Sequence, residues 1–174
     1  KVKKEIPKIQ KFNKISFNQI STYQICPLQY KFRFFWNLRT LRFAPMIYGS
    51  NLHRIIELIL RRIVDGEKIS DINIEQLIHQ SWSNPPNINP EIVISNQKTA
   101  LLQVNNLFKK INYESLRDYI FSIEEPFNFT EEEVQINGRF DLVIKQDDEI
   151  EIIDFKSGSY DSNQHNKYDD QIKF

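Results

Sequence analysis

Three residues near the C-terminal end of the 174-residue chain have the types and spacing to do chemistry together: Asp141, Asp154 and Lys156. Val134, Ile136, Phe140, Leu142 and Ile144 alternate with more polar neighbours. So do Ile150, Ile152, Asp154 and Lys156, and Gln146-Asp147-Asp148-Glu149 separates the two runs. This pattern predicts a hairpin of half-buried strands. A two-residue turn at Asp147-Asp148 sets Gln146 opposite Glu149 and, counting back, Asp141 opposite Asp154. Their Cβ atoms would stand about 5 Å apart on one face, where like charges are destabilising. A divalent cation between them relieves the repulsion, since Mg²⁺ is typically held by one or two carboxylates with waters and phosphate oxygens. Lys156 is expected on the same face. A nearby cation pushes its pKa down, so it can orient or deprotonate a water. Phe155 is expected to point into the core. The set suits attack of water on a phosphodiester, with the metal acidifying the water and neutralising phosphate charge. Asp-x-Lys is also common by chance, and the plainer reading is a surface strand with a salt bridge.

Three more residues join the candidates. Glu125 falls on the alternating face of Tyr119, Phe121, Ile123 and Phe127. A carboxylate there is costly unless paired or metal-bound, or unless it sits in water at the strand end. His53 follows Tyr48-Gly49-Ser50-Asn51-Leu52 early in a predicted helix. It reads either as a ligand or as a structural histidine beside Leu52, Ile55 and Ile56. Gly49, one turn earlier, has no side chain to block an approach to the hairpin. Gln171 opens a last helix one turn after Lys167. On its own it reads as a solvated glutamine.

The elements that must hold these residues change period along the chain. Residues 1–14 are lysine-rich and aperiodic, expected as a linker. Ser16 or Asn18 is placed to cap a helix over 18–36, kinked or split at Pro27. Residues 47–64 show Leu52, Ile55, Ile56, Ile59 and Ile63 at helical spacing, with Asp65-Gly66 as the stop. Helices are also predicted over 73–82 and 96–116, with 84–90 a loop. Three strands follow as a meander, then the start of a helix at 163–174. The expected fold class is an α/β sandwich with a small, mainly antiparallel sheet.

Composition bounds the rest. Aromatic content of 13% argues against disorder, and 40% hydrophobic with 26% charged residues is an ordinary globular balance. One cysteine excludes an internal disulfide framework and points to a reducing, cytoplasmic compartment. No apolar run approaches the roughly 20 residues of a membrane span. Net charge is zero, yet residues 1–62 hold thirteen Lys/Arg against two Asp/Glu, and residues 63–174 hold ten against twenty-one. A basic third suggests a polyanion surface and an acidic remainder suggests cation binding. The alternative is that the two parts attract each other in the fold. In Tyr30-Lys31-Phe32-Arg33-Phe34-Phe35-Trp36, followed by Arg39 and Arg42, cations interleave with aromatics. Lys31, Arg33, Arg39 and Arg42 are therefore candidate DNA contacts, with Phe34 and Phe35 assigned to the core.

Ile15-Ser16-Phe17, Tyr23 and Cys26-Pro27-Leu28-Gln29-Tyr30-Lys31-Phe32 together resemble the opening helix of RecB-type nucleases of the PD-(D/E)xK superfamily. Tyr48-Gly49-Ser50-Asn51-Leu52-His53 resembles their glycine-to-histidine motif. Glu125-Pro126-Phe127, Ile136-Asn137-Gly138-Arg139-Phe140-Asp141 and Ile152-Ile153-Asp154-Phe155-Lys156-Ser157-Gly158 match the remaining motifs in order. Gln171 fits the closing motif, whose tyrosine would fall after Phe174.

The resemblance spans residues 15–173. It implies a restriction-endonuclease-like core over 15–174, cut short at its C-terminal end, with a small mixed, mainly antiparallel sheet flanked by helices. It also implies a Mg²⁺- or Mn²⁺-dependent deoxyribonuclease, an exonuclease in preference to an endonuclease, acting in DNA repair or recombination. The closest likeness is to the nuclease modules at the C-terminal ends of UvrD/RecB-like helicases, so DNA and a helicase domain or subunit are the implied partners. An inactive DNA-binding module of the same fold and a CRISPR-adaptation-type exonuclease are the alternatives. Carried over, His53, Asp141, Asp154 and the Phe155 carbonyl are metal ligands, Glu125 is a supporting acid, Lys156 is the catalytic lysine, and Gln171 supports the site. In some branches a cysteine at the Cys26 position joins three C-terminal cysteines in an iron–sulfur cluster. This chain has no other cysteine, so a cluster would need a longer parent chain.

Overall fold

A computed structural model describes residues 14–38, 44–84 and 88–157. In chain order the elements are β1 (Lys14–Ser16), α1 (Phe17–Ile25), α2 (Pro27–Tyr30), α3 (Ala44–Val64), α4 (Ile74–Ser81), α5 (Pro90–Lys110), α6 (Tyr113–Leu116), β2 (Ile120–Glu131), β3 (Val134–Gln146) and β4 (Glu149–Ile153). The fold is α/β, as expected: one mixed four-stranded sheet flanked by helices. β1 and β2 flank β3, and β4 also pairs with β3. β1 runs parallel to β3 and β4 antiparallel, so the sheet is not the three-strand meander of the sequence reading. Of residues 1–14, expected as a linker, only Lys14 is described, and it opens β1. The helix expected at 163–174 lies outside the described residues. Among the described residues no helix is long and apolar enough to cross a membrane.

The chain divides into two compact units. Lys1–Arg39 with Pro126–Gly138 form one. Here Ser16 caps α1 with a capping box. Its hydroxyl accepts from the Gln19 N–H at 3.4 Å, and the Gln19 carboxamide accepts the Ser16 N–H at 2.8 Å. The predicted helix over 18–36 is split at Pro27. Cys26 takes an extended conformation and ends α1, while Pro27 occupies the first position of α2, where its missing N–H costs nothing. Residues Lys31–Phe35 continue as one wide turn. Gly138 is required by close approach, since a Cβ there would meet the Phe127 ring.

Thr40–Glu125 with Arg139–Phe174 form the other unit, which holds the core. The α3 stripe expected from the 3.6-residue period is buried: Leu52, Ile55, Ile56, Ile59, Leu60 and Ile63. It packs with Leu77, Ile78, Ala100, Val104, Tyr113, Ile123, Leu142, Ile144 and Phe155. Each fully buried Ile or Leu contributes about 1.5–3 kcal/mol. α5 starts six residues before its predicted start. Asn89 accepts the Glu91 N–H at 2.9 Å and Pro90 fits the first helical position, so residues read as loop are a cap. It ends at Lys110, and Asn112 starts α6 separately. The β3–β4 register is the expected one, from Gln146↔Glu149 to Leu142↔Ile153 around Asp147-Asp148, with Asp147 at φ +52°.

Two residues before His53, the buried Asn51 clamps α3 to the chain after α4. Its amide donates to the Ser83 carbonyl at 2.9 Å and its oxygen accepts the Ser83 N–H at 2.8 Å. Asn51→Leu strands both backbone groups. It is expected to lower stability by about 1–3 kcal/mol, read from the denaturation midpoint. An unchanged midpoint would mean that the clamp contributes nothing.

Candidate metal centre

The site assembles where α3, β2 and the end of the β3–β4 hairpin converge. The hairpin ladder stops at Leu142↔Ile153. One residue further, the Asp141 side chain takes over: its Oδ2 accepts the Phe155 N–H at 2.6 Å. Phe155 is buried, as expected, and its ring meets the His53 ring edge-on with centroids 6.5 Å apart. His53 reaches over from α3, with Nδ1 3.3 Å from Asp141 Oδ1 and 3.9 Å from Glu124 Oε1. Gly49 leaves room for the segment after β4: a Cβ there would stand 3.2 Å from Ser157 Oγ.

Glu124, not Glu125, stands with His53 and Asp141. Glu125 is exposed. The expected alternation fails because Glu124 has φ +53°, a conformation that costs roughly 1–2 kcal/mol for a residue with a Cβ. That turn shifts the phase of β2, so Ile123 and Glu124 are successive inward residues, while Phe121, expected inward, is exposed. The two consecutive glutamates were a visible signal, but regular strand period selects Glu125.

Asp154 and Lys156 do not join the three-residue group. They lie just past β4 and pair with each other at 2.5 Å. Asp154 is near enough that its charge still acts on His53, and the Lys156 charge acts on Asp141. Lys31 and Arg33 belong to the other unit. Lys31 Nζ stands 5.0 Å over the Trp36 ring and Arg33 5.3 Å over the Phe34 ring. Arg39, Arg42 and Gln171 lie outside the described residues. Cys26 is partly buried, with a free thiol.

His53, Glu124 and Asp141 each offer one donor atom, all within 4.8 Å of one another. One imidazole nitrogen and two carboxylates suit a divalent transition ion. Glu124 lines an open cleft of about 480 Å³ with Ser50, His53, Arg54 and Arg139. The titration behaviour shows where charge is uncompensated. Asp141 raises the His53 pKa by hydrogen bonding and charge, against burial. Burial works to raise Asp141, but His53 and the Phe155 N–H outweigh it and hold the carboxyl below its ordinary value. Glu124 is pushed up by burial first and the Asp141 charge second, although Arg139 Nη1 lies 3.4 Å from its Oε2. The like-charge conflict therefore falls between Asp141 and Glu124, and a bound cation would relieve it. That is the fit of these residues to a metal.

A histidine and two carboxylates aimed at one point from a helix and a small mixed sheet make a class of protein: an α/β scaffold with a candidate divalent-cation site. The chain belongs to the PD-(D/E)XK nuclease superfamily, whose family model matches residues 14–174. No curated protein and no solved structure matches it.

The two carboxylates respond to pH in opposite senses. Glu124 has a folded pKa above its ordinary value. Its stabilising contribution is present below the unfolded pKa and lost as pH rises through the folded one. Without metal, Glu124→Gln should melt higher than the parent near pH 7, with the gap closing below about pH 4. Asp141, held low, contributes above its unfolded pKa and loses this as pH falls. Asp141→Asn should therefore melt lower near pH 7. Melting curves across pH check both signs.

Proposed function

We propose that the protein is a Mg²⁺- or Mn²⁺-dependent deoxyribonuclease. The observation that carries the reading is the convergence of His53, Glu124 and Asp141 within 4.8 Å on a scaffold of this nuclease superfamily. These three residues would hold the cation. When bound, it would acidify a water and neutralise charge on a phosphodiester. Arg54 and Arg139 line the same cleft, and their guanidiniums suit phosphate oxygens. Asp154 would complete the anionic side of the site. Lys156, at its margin, would turn from Asp154 to the attacking water and orient it by donating a hydrogen bond. Lys31 and Arg33, on the other unit, would follow the DNA backbone, together with Arg39 and Arg42.

The RecB-like motif order supports an exonuclease working in DNA repair or recombination beside a helicase domain or subunit. The single cysteine supports a cytoplasmic setting.

Cleavage of labelled single- and double-stranded DNA with Mg²⁺, with Mn²⁺ and with chelator tests the reading. Asp141→Asn and Glu124→Gln should each lower metal-dependent cleavage on the order of 10²–10³-fold. Cleavage that survives chelator, or parent-level cleavage by both variants, would sink the proposed centre.

Lys156→Ala should lose turnover yet keep Mn²⁺ affinity by calorimetry. His53→Ala should weaken Mn²⁺ more than Mg²⁺, since nitrogen donors favour the former. If His53→Ala weakens both ions equally, the imidazole is not a ligand.

A further inference from the structure

We infer that Arg61, oriented by Glu57, is a positioning residue that keeps Glu124 rather than Glu125 turned into the His53–Asp141 group. Its effect on cation affinity rests on the metal-site reading above; its effect on the backbone does not.

His53, Glu57 and Arg61 are spaced four residues apart on α3 and share one face of the helix. Glu57 Oε1 accepts from Arg61 Nε at 2.9 Å, which fixes the plane of the guanidinium. Its Nη2 then donates to the carbonyl of Ile123 at 3.1 Å. Ile123 immediately precedes Glu124, the residue at φ +53°. A residue with a Cβ leaves that region for extended backbone unless something holds it there.

Extended backbone would restore strict alternation. Ile123 and Glu125 would then share one face, and Glu124 would swing to the other. By pinning the Ile123 carbonyl, Arg61 keeps Ile123 and Glu124 inward in succession. The same fork holds Glu57, which lines the cleft, in an ion pair on its own helix. A lysine cannot reproduce this. Its ammonium is a point charge on a flexible stem, without the rigid fork that reaches Glu57 and the Ile123 carbonyl together.

A metal-free cycle tests the inference. Near pH 7, Glu124→Gln should raise the melting midpoint of the parent but not that of Arg61→Gln. The amides of Glu124 and Glu125 should shift and exchange faster in Arg61→Gln, and stay as in the parent in an Arg62→Gln control. Mn²⁺ affinity should fall about tenfold in Arg61→Gln. Arg61→Lys should behave like Arg61→Gln, whereas a purely electrostatic role would be rescued by lysine.

If Arg61→Gln does not fold, Glu57→Gln, which frees the guanidinium without removing it, should show the same loss of the Glu124→Gln gain. The inference is overturned if that gain persists undiminished in the Arg61 or Glu57 variant with amide signals unmoved, or if lysine restores parent behaviour. Parent protein that takes up no Mn²⁺ would overturn the metal-site reading, while the melting cycle and the amide signals would still decide the role of Arg61.

Discussion

The hydrogen bond from the Phe155 N–H to Asp141 Oδ2 is the contact on which the site depends. A carboxylate side chain has taken the place of a ladder carbonyl, two residues past the end of β4 at Ile153. Three things follow. Phe155 is fixed with its ring buried, which seats it edge-on to His53. Asp141 loses its rotational freedom because one oxygen is committed to a charge-assisted hydrogen bond. Its other oxygen is then presented to His53. The α3 helix brings His53 to that oxygen because Leu52, Ile55, Ile56 and Ile59 bury the adjoining face, so the core sets the angle of approach.

What could be read from the chain divides by the range of the forces involved. The hairpin register was legible because a two-residue turn and two period-2 runs leave one way to count. The buried face of α3 was legible because a 3.6-residue stripe of Ile and Leu has one side to bury. The face of Asp141 followed from the hairpin, whereas the α3 stripe left His53 open between a ligand and a structural histidine. Glu124 did not follow, because its inward aim depends on a backbone turn held by an arginine sixty-two residues earlier in the chain, and period alone carries no trace of that contact. Asp154 is a different case. Its position opposite Asp141 was counted correctly, but the choice between a metal and Lys156 as its partner is one of charge balance rather than periodicity. The start of α5 was missed for a local reason: Asn-Pro is both a loop signal and a helix opening, and only the Asn89 cap separates them.

The charge asymmetry of the chain meets itself in this unit. α3 brings His53, Arg54 and Arg61 from the basic third, and the strands bring Glu124 and Asp141 from the acidic remainder. Attraction between the two parts is seen at His53, which meets both acids, but it is left incomplete at one point. Attraction alone would have matched each buried carboxylate with an arginine or lysine. Glu124 has Arg139 3.4 Å from one oxygen yet stays pushed up by burial and by Asp141, and Asp141 is met by an imidazole.

That choice of partner separates a structural ion pair from a cation site. A guanidinium beside Asp141 would remain charged at any physiological pH and would compete permanently with a metal. An imidazole compensates Asp141 only while protonated. When it gives up the proton, the nitrogen facing Asp141 and Glu124 becomes a neutral lone-pair donor at the same place. The proton on His53 and a divalent ion would then be alternative ways of neutralising the same two carboxylates, with no rearrangement of α3 or the hairpin between them. The proton leaves Glu124 strained by its neighbour's charge. An ion with two positive charges, placed between the three donors, would satisfy both acids at once.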